Sequence, residues 1–363
     1  MRNLLKENLL ISPFLVFYVI NSMQLGGGAL FDLRGMSQHA GYDTWISIIV
    51  SGLSIHILIW LLYRILNKGK GDIIAIHRDL FGKWVGGFLS LLFISYFLIL
   101  GIFTLRIYIE VIQVWIFPHL RPFFFSLILL LVISYFVIKG FRVVTGICFL
   151  SILYMLPILL SMLFPLEFAH YSNLFPIMDH SYKDILLSSK EVTLSMVGFE
   201  SLLLFYPFIK NPERSAKWAH LAIIFTTIIY VYVAIITFTF YNQEQLQHTL
   251  WSTVVLWQII ELPVLERFEH LGLSAWLLIV LPNLCVILWG VHHGISQLVT
   301  INKKILLIAI IFIIAIVSGF INKRTSIEQL SNLVSEISFY IVYGYIPFLF
   351  LAQKIIYRLK RDN

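Results

Sequence analysis

Apolar runs close to the ~20 residues that a transmembrane helix requires recur along almost the whole chain. This pattern constrains the fold more than any other feature. Charged residues make up only 12% of the sequence, against about 25% in soluble domains. The sequence therefore predicts one all-α integral membrane domain over residues 1–363, with about ten transmembrane helices.

The first apolar run contains an interruption. Gly26, Gly27 and Gly28 follow one another, and each is less favourable in a helix than alanine by about 1 kcal/mol. Asp32 and Arg34 follow them. Inside a bilayer, non-helical backbone is tolerated only where protein or a water-filled cavity surrounds it. We therefore expect a broken first helix that faces a cavity; the alternative is that the glycines allow close helix packing.

The sixth apolar run, residues 191–209, carries Gly198, Phe199 and Glu200. Glu200 follows Lys190 by ten residues, which is about 15 Å along a helix and close to the bilayer midplane. A charge at that depth costs several kcal/mol unless water or a partner surrounds it. Glu200 is therefore predicted to bind a substrate amino group or a proton, or to be a structural carboxyl at the first helix's break.

A polar stretch, residues 167–190, divides the chain into halves of five spans each, over residues 11–165 and 191–357. An odd number of spans means that the halves enter the membrane from opposite sides. Interrupted helices in matching positions of two such halves indicate a midplane substrate site in inverted-repeat transporters. The helix ends at these breaks present free N–H groups, which suit a carboxylate.

The basic residues indicate the orientation. Eighteen of the 26 Lys and Arg residues fall in segments on the N-terminal side of the membrane and seven in the opposite segments. The positive-inside rule then places both termini in the cytoplasm.

Four charged residues outside these breaks are also candidates for a function. Arg106 and Glu110 are four residues apart and share one helix face, so we expect an intramembrane ion pair. Asp32 and Arg34 are candidates for an outer gate.

Other classes of function have no support in the sequence. It contains no P-loop, HExxH helix, nucleophile elbow or CxxC pair. We expect no catalysis, no metal and no cofactor. The basic residues lie between apolar runs, so we expect the lipid bilayer and not a nucleic acid as the partner of this charge.

Several motifs together resemble one family. They are NSMQLGGGAL at residues 21–30, DTWI at 43–46, Arg106 with Glu110, GFE at 198–200 and ERFE at 266–269. They are similar to the endospore germination permease family, the B subunits of nutrient germinant receptors, within the amino acid–polyamine–organocation transporter superfamily.

This resemblance implies a LeuT-like fold, a 5+5 inverted repeat with broken helices 1 and 6, in the spore inner membrane. It also implies germinant receptor A and C subunits as partners, and a small-molecule nutrient, such as an amino acid, as the ligand. The ligand site would include Gly26, Gly27, Gly28, Gly198, Phe199 and Glu200, and Glu266 and Arg267 would join the outer gate. A proton-coupled amino-acid permease, an ion or water conduit and a scaffold subunit remain alternatives.

Overall fold

The computed structural model describes residues 6–26, 33–69, 71–261, 263 and 266–362. These residues form helices joined by short turns, with one isolated β-bridge. The α-helices of the described residues are, in chain order, α1 (Leu15–Gly26), α2 (Leu33–Ala40), α3 (Thr44–Lys68), α4 (Ile73–Trp115), α5 (Pro122–Ile138), α6 (Phe141–Ser161), α7 (Tyr182–Met196), α8 (Leu202–Phe205), α9 (Ala216–Phe240), α10 (Gln243–His248), α11 (Ser252–Gln258), α12 (Phe268–Leu298), α13 (Lys303–Phe320), α14 (Arg324–Phe339) and α15 (Ile346–Asp362).

Within the described ranges, seven helical segments are long and apolar enough to cross a membrane, and three further apolar helices are shorter. The shorter helices are Leu15–Gly26, Pro122–Ile138 and Phe199–Phe208. Together these segments match the ten that the sequence predicts. The prediction of an all-α, multi-pass membrane protein is confirmed.

The centre of the molecule is formed by α1 and α12. α1 packs against α6, α9 and α12, and α12 packs against α4 and α6. Their buried side chains belong to one continuous apolar core. The two halves of the sequence are thus interleaved in space and form one packed body.

Both terminal segments lie at one end of the helix bundle, which we call the inner end because the charge distribution predicts that it faces the cytoplasm. Ile11 donates its N–H to Phe208 O at 2.8 Å and accepts from Lys210 N at 2.9 Å. Near the last residues, Lys360 Nζ donates to Asp79 O at 2.8 Å. We call the opposite end, which carries residues 41–43, the outer end.

The sixth span begins earlier than predicted. α7 starts at Tyr182, inside the polar stretch over residues 167–190, because Ser181 and Asp184 form a capping box. The Asp184 N–H donates to Ser181 Oγ, and the Ser181 N–H donates to Asp184 Oδ2, both at 3.2 Å. These bonds satisfy backbone donors that would otherwise lack helical partners.

Asp43 precedes α3, a position where an aspartate commonly caps a helix, but its side chain does not cap this one. The helix does begin at Thr44, but the Asp43 carboxylate makes no capping bond. It accepts N–H groups of Met178 at 2.8 Å and of His180 at 3.2 Å from the outer loop. The backbone N–H groups of Met178 and His180 therefore occupy the Asp43 carboxylate, which would otherwise be placed to cap α3.

Three further boundaries are set by local structure. α4 begins at Ile73, since Asp72 accepts the Ala75 N–H at 3.0 Å. The short α11 is followed by the long helix α12, which starts at Phe268. The last span starts at Arg324 and contains a π-helix, Tyr340–Tyr345, between α14 and α15.

Candidate ligand site

The sixth span is interrupted, as the sequence predicts. α7 ends at Met196, Val197 is extended, and Gly198 has a φ of +112° before a 3₁₀ turn begins. Glycine adopts positive φ without steric cost. A Cβ atom on Gly198 would also lie 2.6 Å from Met23 Cβ in α1. Glycine is therefore required where the two helices cross.

The last carbonyls of α7, which have no helical partners, are occupied by side chains of the protein. Gln24 Nε2 donates to Met196 O at 2.6 Å, and Tyr230 Oη donates to Ser195 O at 3.0 Å. Thr226 Oγ1 in turn donates to Gln24 Oε1 at 2.7 Å. The carbonyl side of the interruption is thus satisfied internally.

Glu200 is fully buried and has protein partners on both oxygens. Tyr96 Oη donates to Oε1 at 2.8 Å, and the Gly198 N–H donates to Oε2 at 2.7 Å. Ser338 Oγ donates to Tyr96 Oη at 3.3 Å. The Gly198 N–H, which the sequence analysis offers to a ligand carboxylate, is therefore bound to Glu200.

A cavity of about 270 Å³ lies on the outer side of this interruption. Residues of α1, α2, α4, α7, α12 and α14 form its wall, together with the segment before α11. The residues nearest the two predicted breaks are Met23, Gln24, Ser195 and Val197. Gly26, Gly198, Phe199 and Glu200 do not belong to this wall, so direct ligand contact by these four residues stays a prediction.

Three residues of the cavity wall each have a buried polar atom with no hydrogen-bond partner in the described part of the chain. The atoms are Arg34 Nε, Thr104 Oγ1 and Asn283 Oδ1. A buried polar group without a partner costs about 1–3 kcal/mol. The wall residues thus carry one donor, one acceptor and one hydroxyl that can do either.

Asn283 also explains the role of Gly26. Its Nδ2 donates to Met23 O, near the end of α1, at 2.7 Å. A Cβ atom on Gly26 would lie 2.5 Å from Asn283 Cβ. Gly26 therefore allows α12 to approach α1 closely, which is the packing alternative of the sequence analysis. Gly27 and Gly28 lie outside the described residues.

Opposite charges lie on the cavity wall. Arg34 and Glu191 both line it, and neither forms an ion pair with another described residue. Arg324 also lines it, but its guanidinium pairs with Glu110 Oε2 at 2.8 Å and with Glu328 Oε1 at 3.0 Å. Among the described residues of the wall, Arg34 and Glu191 are thus the cation and the anion that no ion pair occupies.

The predicted ion pair between Arg106 and Glu110 is wrong. Arg106 donates to Gln113 Oε1 at 3.1 Å and to the carbonyl of Ile321, while Glu110 pairs with Arg324. The physical reason is that the last span starts at Arg324, beside α4.

The predicted outer gate is only partly on the cavity. Arg34 lines the cavity, whereas Glu266 and Arg267 do not. Arg267 Nε pairs with Glu269 Oε1 at 2.8 Å instead, and Glu266 is exposed. Asp32 lies outside the described residues. On this side of the cavity, Arg324 joins α14 to α4 through its bond to Glu110, and its guanidinium lies 5.8 Å from the Trp251 ring centre.

The inner end below the interruption is held by paired polar groups. Asp72 accepts from Gln297 Nε2 at 2.6 Å, and the Tyr206 hydroxyl donates to Asn67 Oδ1. These contacts join α4 to α12 and the end of the sixth span to α3. They add to the backbone bonds that Ile11 makes with the segment following α8. The candidate site therefore opens toward the outer side.

The fold and the cavity define a multi-pass membrane protein with a candidate site for one small molecule. A family model described as "Spore germination protein", the spore permease family, matches residues 10–327. The chain therefore belongs to the spore germination permease family.

Curated relatives agree with this membership. The chain is 41% identical to "Spore germination protein GerQB" of Bacillus cereus, over 97% of this chain and 98% of that protein. It is 24% identical to "Spore germination protein YndE" of Bacillus subtilis (strain 168), over 92% and 93% of the two chains. "Spore germination protein A2" of the same organism is 23% identical, over 81% and 82%. Each similarity extends along most of both chains, so the relationship to these proteins covers nearly the whole sequence.

Proposed function

We propose that this chain is the membrane subunit of a nutrient germinant receptor and that it binds a small nutrient in the outer cavity. In this proposal it works in the spore inner membrane beside receptor A and C subunits. Membership of the spore germination permease family supports a role in spore germination. The cavity beside the interrupted sixth span supports the binding role.

One observation carries the binding role: Arg34, Thr104 and Asn283 line one cavity, and each has a buried polar atom without a hydrogen-bond partner among the described residues. A ligand that hydrogen-bonds to all three removes three desolvation costs of about 1–3 kcal/mol each. Other buried polar groups nearby are already bonded to the protein, as Glu200 and Gln24 show. These three atoms are therefore where ligand binding gains most.

An amino acid is the ligand class that suits the charges of the wall. Arg34 can pair with a carboxylate, and Glu191 can pair with an ammonium group, since neither has an ion-pair partner among the described residues. The volume of about 270 Å³ is below the ~300–1,000 Å³ of pockets for drug-sized ligands. A single small nutrient fits this space.

Signalling requires that the nutrient bind two conformations unequally. In the conformation described here the inner end is closed and the Arg324–Glu110 bond joins α14 to α4 beside the cavity. A bound nutrient that contacts both helices stabilises one relative position of α14 and α4 over others. The shift in population is the signal that this proposal passes to the partner subunits.

A binding screen tests the proposal. The purified protein is tested by thermal shift against pooled standard amino acids, nucleosides and monosaccharides, and positive pools are resolved by calorimetry. Glu191→Gln is compared with Glu266→Gln, which removes the same charge outside the cavity. We expect an amino acid to bind, and only Glu191→Gln to weaken it by about tenfold, the effect of losing one charged hydrogen bond.

Other results would redirect the assignment. Binding of a nucleoside or sugar with no effect of Glu191→Gln would keep the receptor and reject the amino acid. Uptake of a labelled amino acid into proteoliposomes containing this chain alone would assign a permease. Absence of binding by every pool would overturn the ligand site.

A further inference from the structure

The last span connects the cavity with the interruption of the sixth span. One face of α14 lines the cavity with residues at helical spacing: Arg324, Ile327, Glu328, Ser331 and Ser335. This spacing of three and four residues is one side of an α-helix. The cavity therefore extends along about three turns of α14.

One turn beyond this face, Ser338 begins a chain of three buried hydrogen bonds. Ser338 Oγ donates to Tyr96 Oη, Tyr96 Oη donates to Glu200 Oε1, and Glu200 Oε2 accepts the Gly198 N–H. The distances are 3.3, 2.8 and 2.7 Å. Tyr96, Glu200 and Ser338 are all buried, and none of them lines the cavity.

The helix changes its winding directly after Ser338. Tyr340–Tyr345 form a π-helix, a rare conformation that is frequent at functional sites. Beyond it, α15 is held at the inner end, where Gln353 Nε2 donates to Ile65 O at 3.1 Å. The π-helix thus separates a half that faces the cavity from a half that is fixed to α3.

We propose that Tyr96 is a positioning residue that transmits displacement of α14 to the interruption at Gly198. Nutrient binding moves the cavity-facing half of the last span, and the π-helix absorbs the movement. The Ser338–Tyr96–Glu200 chain carries the movement to the backbone of the sixth span. This inference rests on the proposed nutrient binding and adds the last span as the element that responds.

The test uses Tyr96→Phe, which removes one hydroxyl and keeps the ring. Tyr108→Phe is the matched control, because Tyr108 is buried in the same helix outside the hydrogen-bond chain. The full receptor in spores is exposed to the pooled amino acids, nucleosides and monosaccharides. For the purified chain, binding to the same pool and amide hydrogen exchange of residues 338–346 are measured.

We expect Tyr96→Phe to retain binding within about twofold but to lower the sensitivity of germination about tenfold, within the ~5–150-fold range of coupling between sites. The pool slows exchange at residues 338–346 in the natural protein and in Tyr108→Phe, but less in Tyr96→Phe. Ser338→Ala keeps the Tyr96–Glu200 bond. We expect it to change germination sensitivity and amide exchange in the same direction as Tyr96→Phe, but by a smaller factor.

Equal losses of binding and of germination in Tyr96→Phe would overturn the inference, and so would an unchanged germination response. If Tyr96→Phe does not fold, Ser338→Ala alone decides between these outcomes. Failure of the pool to bind the natural protein would overturn the proposed function, and the inference with it.

Discussion

The outer and inner halves of the molecule treat buried polar groups differently. On the outer side, Arg34 Nε, Thr104 Oγ1 and Asn283 Oδ1 line one cavity and lack partners within the described residues. At the inner end, Asp72 is bonded to Gln297 and to the Ala75 N–H. The inner end thus has the pairing expected of a structural contact.

This difference indicates that the outer half carries an unfavourable free energy that the inner half does not. Each unpartnered buried group costs about 1–3 kcal/mol, so three of them in one cavity would be unfavourable without a function. Paired contacts at the inner end hold the helices together while a ligand binds to the outer cavity or leaves it.

The crossing of α1 with the sixth span separates the two halves, and Gly198→Ala should damage it most. The added Cβ would meet Met23 Cβ at 2.6 Å, on a backbone with φ of +112°. The left-handed conformation alone costs about 1–3 kcal/mol for a non-glycine residue. We expect a loss of thermal stability of that order or more, measured by differential scanning fluorimetry in detergent.

Gly146→Ala is the control for this substitution. Gly146 lies in α6, and a Cβ atom there would meet nothing within 4 Å in the described structure. This change should be neutral or raise stability by up to about 1 kcal/mol, since alanine favours the helix. Equal behaviour of the two variants would show that Gly198 is not constrained.

Arg34→Gln tests the outer half directly. It removes from the cavity wall a positive charge that has no ion-pair partner among the described residues. Because a hydrogen bond to a charged group contributes about 1.5–3 kcal/mol, we expect nutrient affinity to fall roughly 10–100-fold in calorimetry. Arg267→Gln removes the same charge outside the cavity and should leave affinity unchanged. A larger effect at Arg267 would restore the outer gate that the sequence analysis predicted there.

Thr104→Val removes a hydroxyl that has no partner among the described residues and keeps the shape of the side chain. The affinity should fall about fivefold, the effect of one neutral hydrogen bond of ~1 kcal/mol. The protein itself should become slightly more stable, because a buried polar atom without a partner is lost. Thr145→Val is the control, since Thr145 Oγ1 already donates to Phe141 O at 2.9 Å in α6. If Thr104→Val destabilised the protein as much as the control, the hydroxyl would have a partner.

The smallest effect concerns the inner end. Lys210 Nζ lies 2.6 Å from Glu7 Oε1, and this hydrogen bond and charge lower the pKa of Glu7 below its usual value of 4.5. A lowered pKa in the folded state means that the contribution is present above about pH 4.5 and is lost as the pH falls through the lowered value. Glu7→Gln should therefore slightly flatten the acid side of the stability profile, measured by thermal denaturation from pH 6 to pH 3. A profile identical to that of the natural protein would remove this contact from the inner end.

Local sequence patterns predicted the parts of the fold that depend on neighbouring residues. The apolar runs and the glycine before Phe199 gave the membrane helices and the interrupted sixth span correctly. The capping box at Ser181 was also readable from the sequence, because serine and an acidic residue three positions later mark a helix start.

The cavity could not be predicted in the same way. Thr104 and Asn283 are single polar residues in long apolar helices, and the atoms that matter depend on packing between α1, α4 and α12. Asn283 bonds to Met23, 260 positions away, and Glu110 bonds to Arg324, 214 positions away. A lone amide in an apolar span next to Pro282 was the available signal for Asn283, and it requires a partner that only the fold supplies.

The location of a bound nutrient shows whether the outer cavity is the ligand site. An electron cryomicroscopy map of the protein with the compound selected by the binding screen would resolve it. We expect density for the nutrient in the outer cavity, within hydrogen-bond distance of Thr104 Oγ1 and Asn283 Oδ1 and beside Arg34. Density against Glu200 with Tyr96 displaced, or at the inner end with the outer cavity empty, would contradict it.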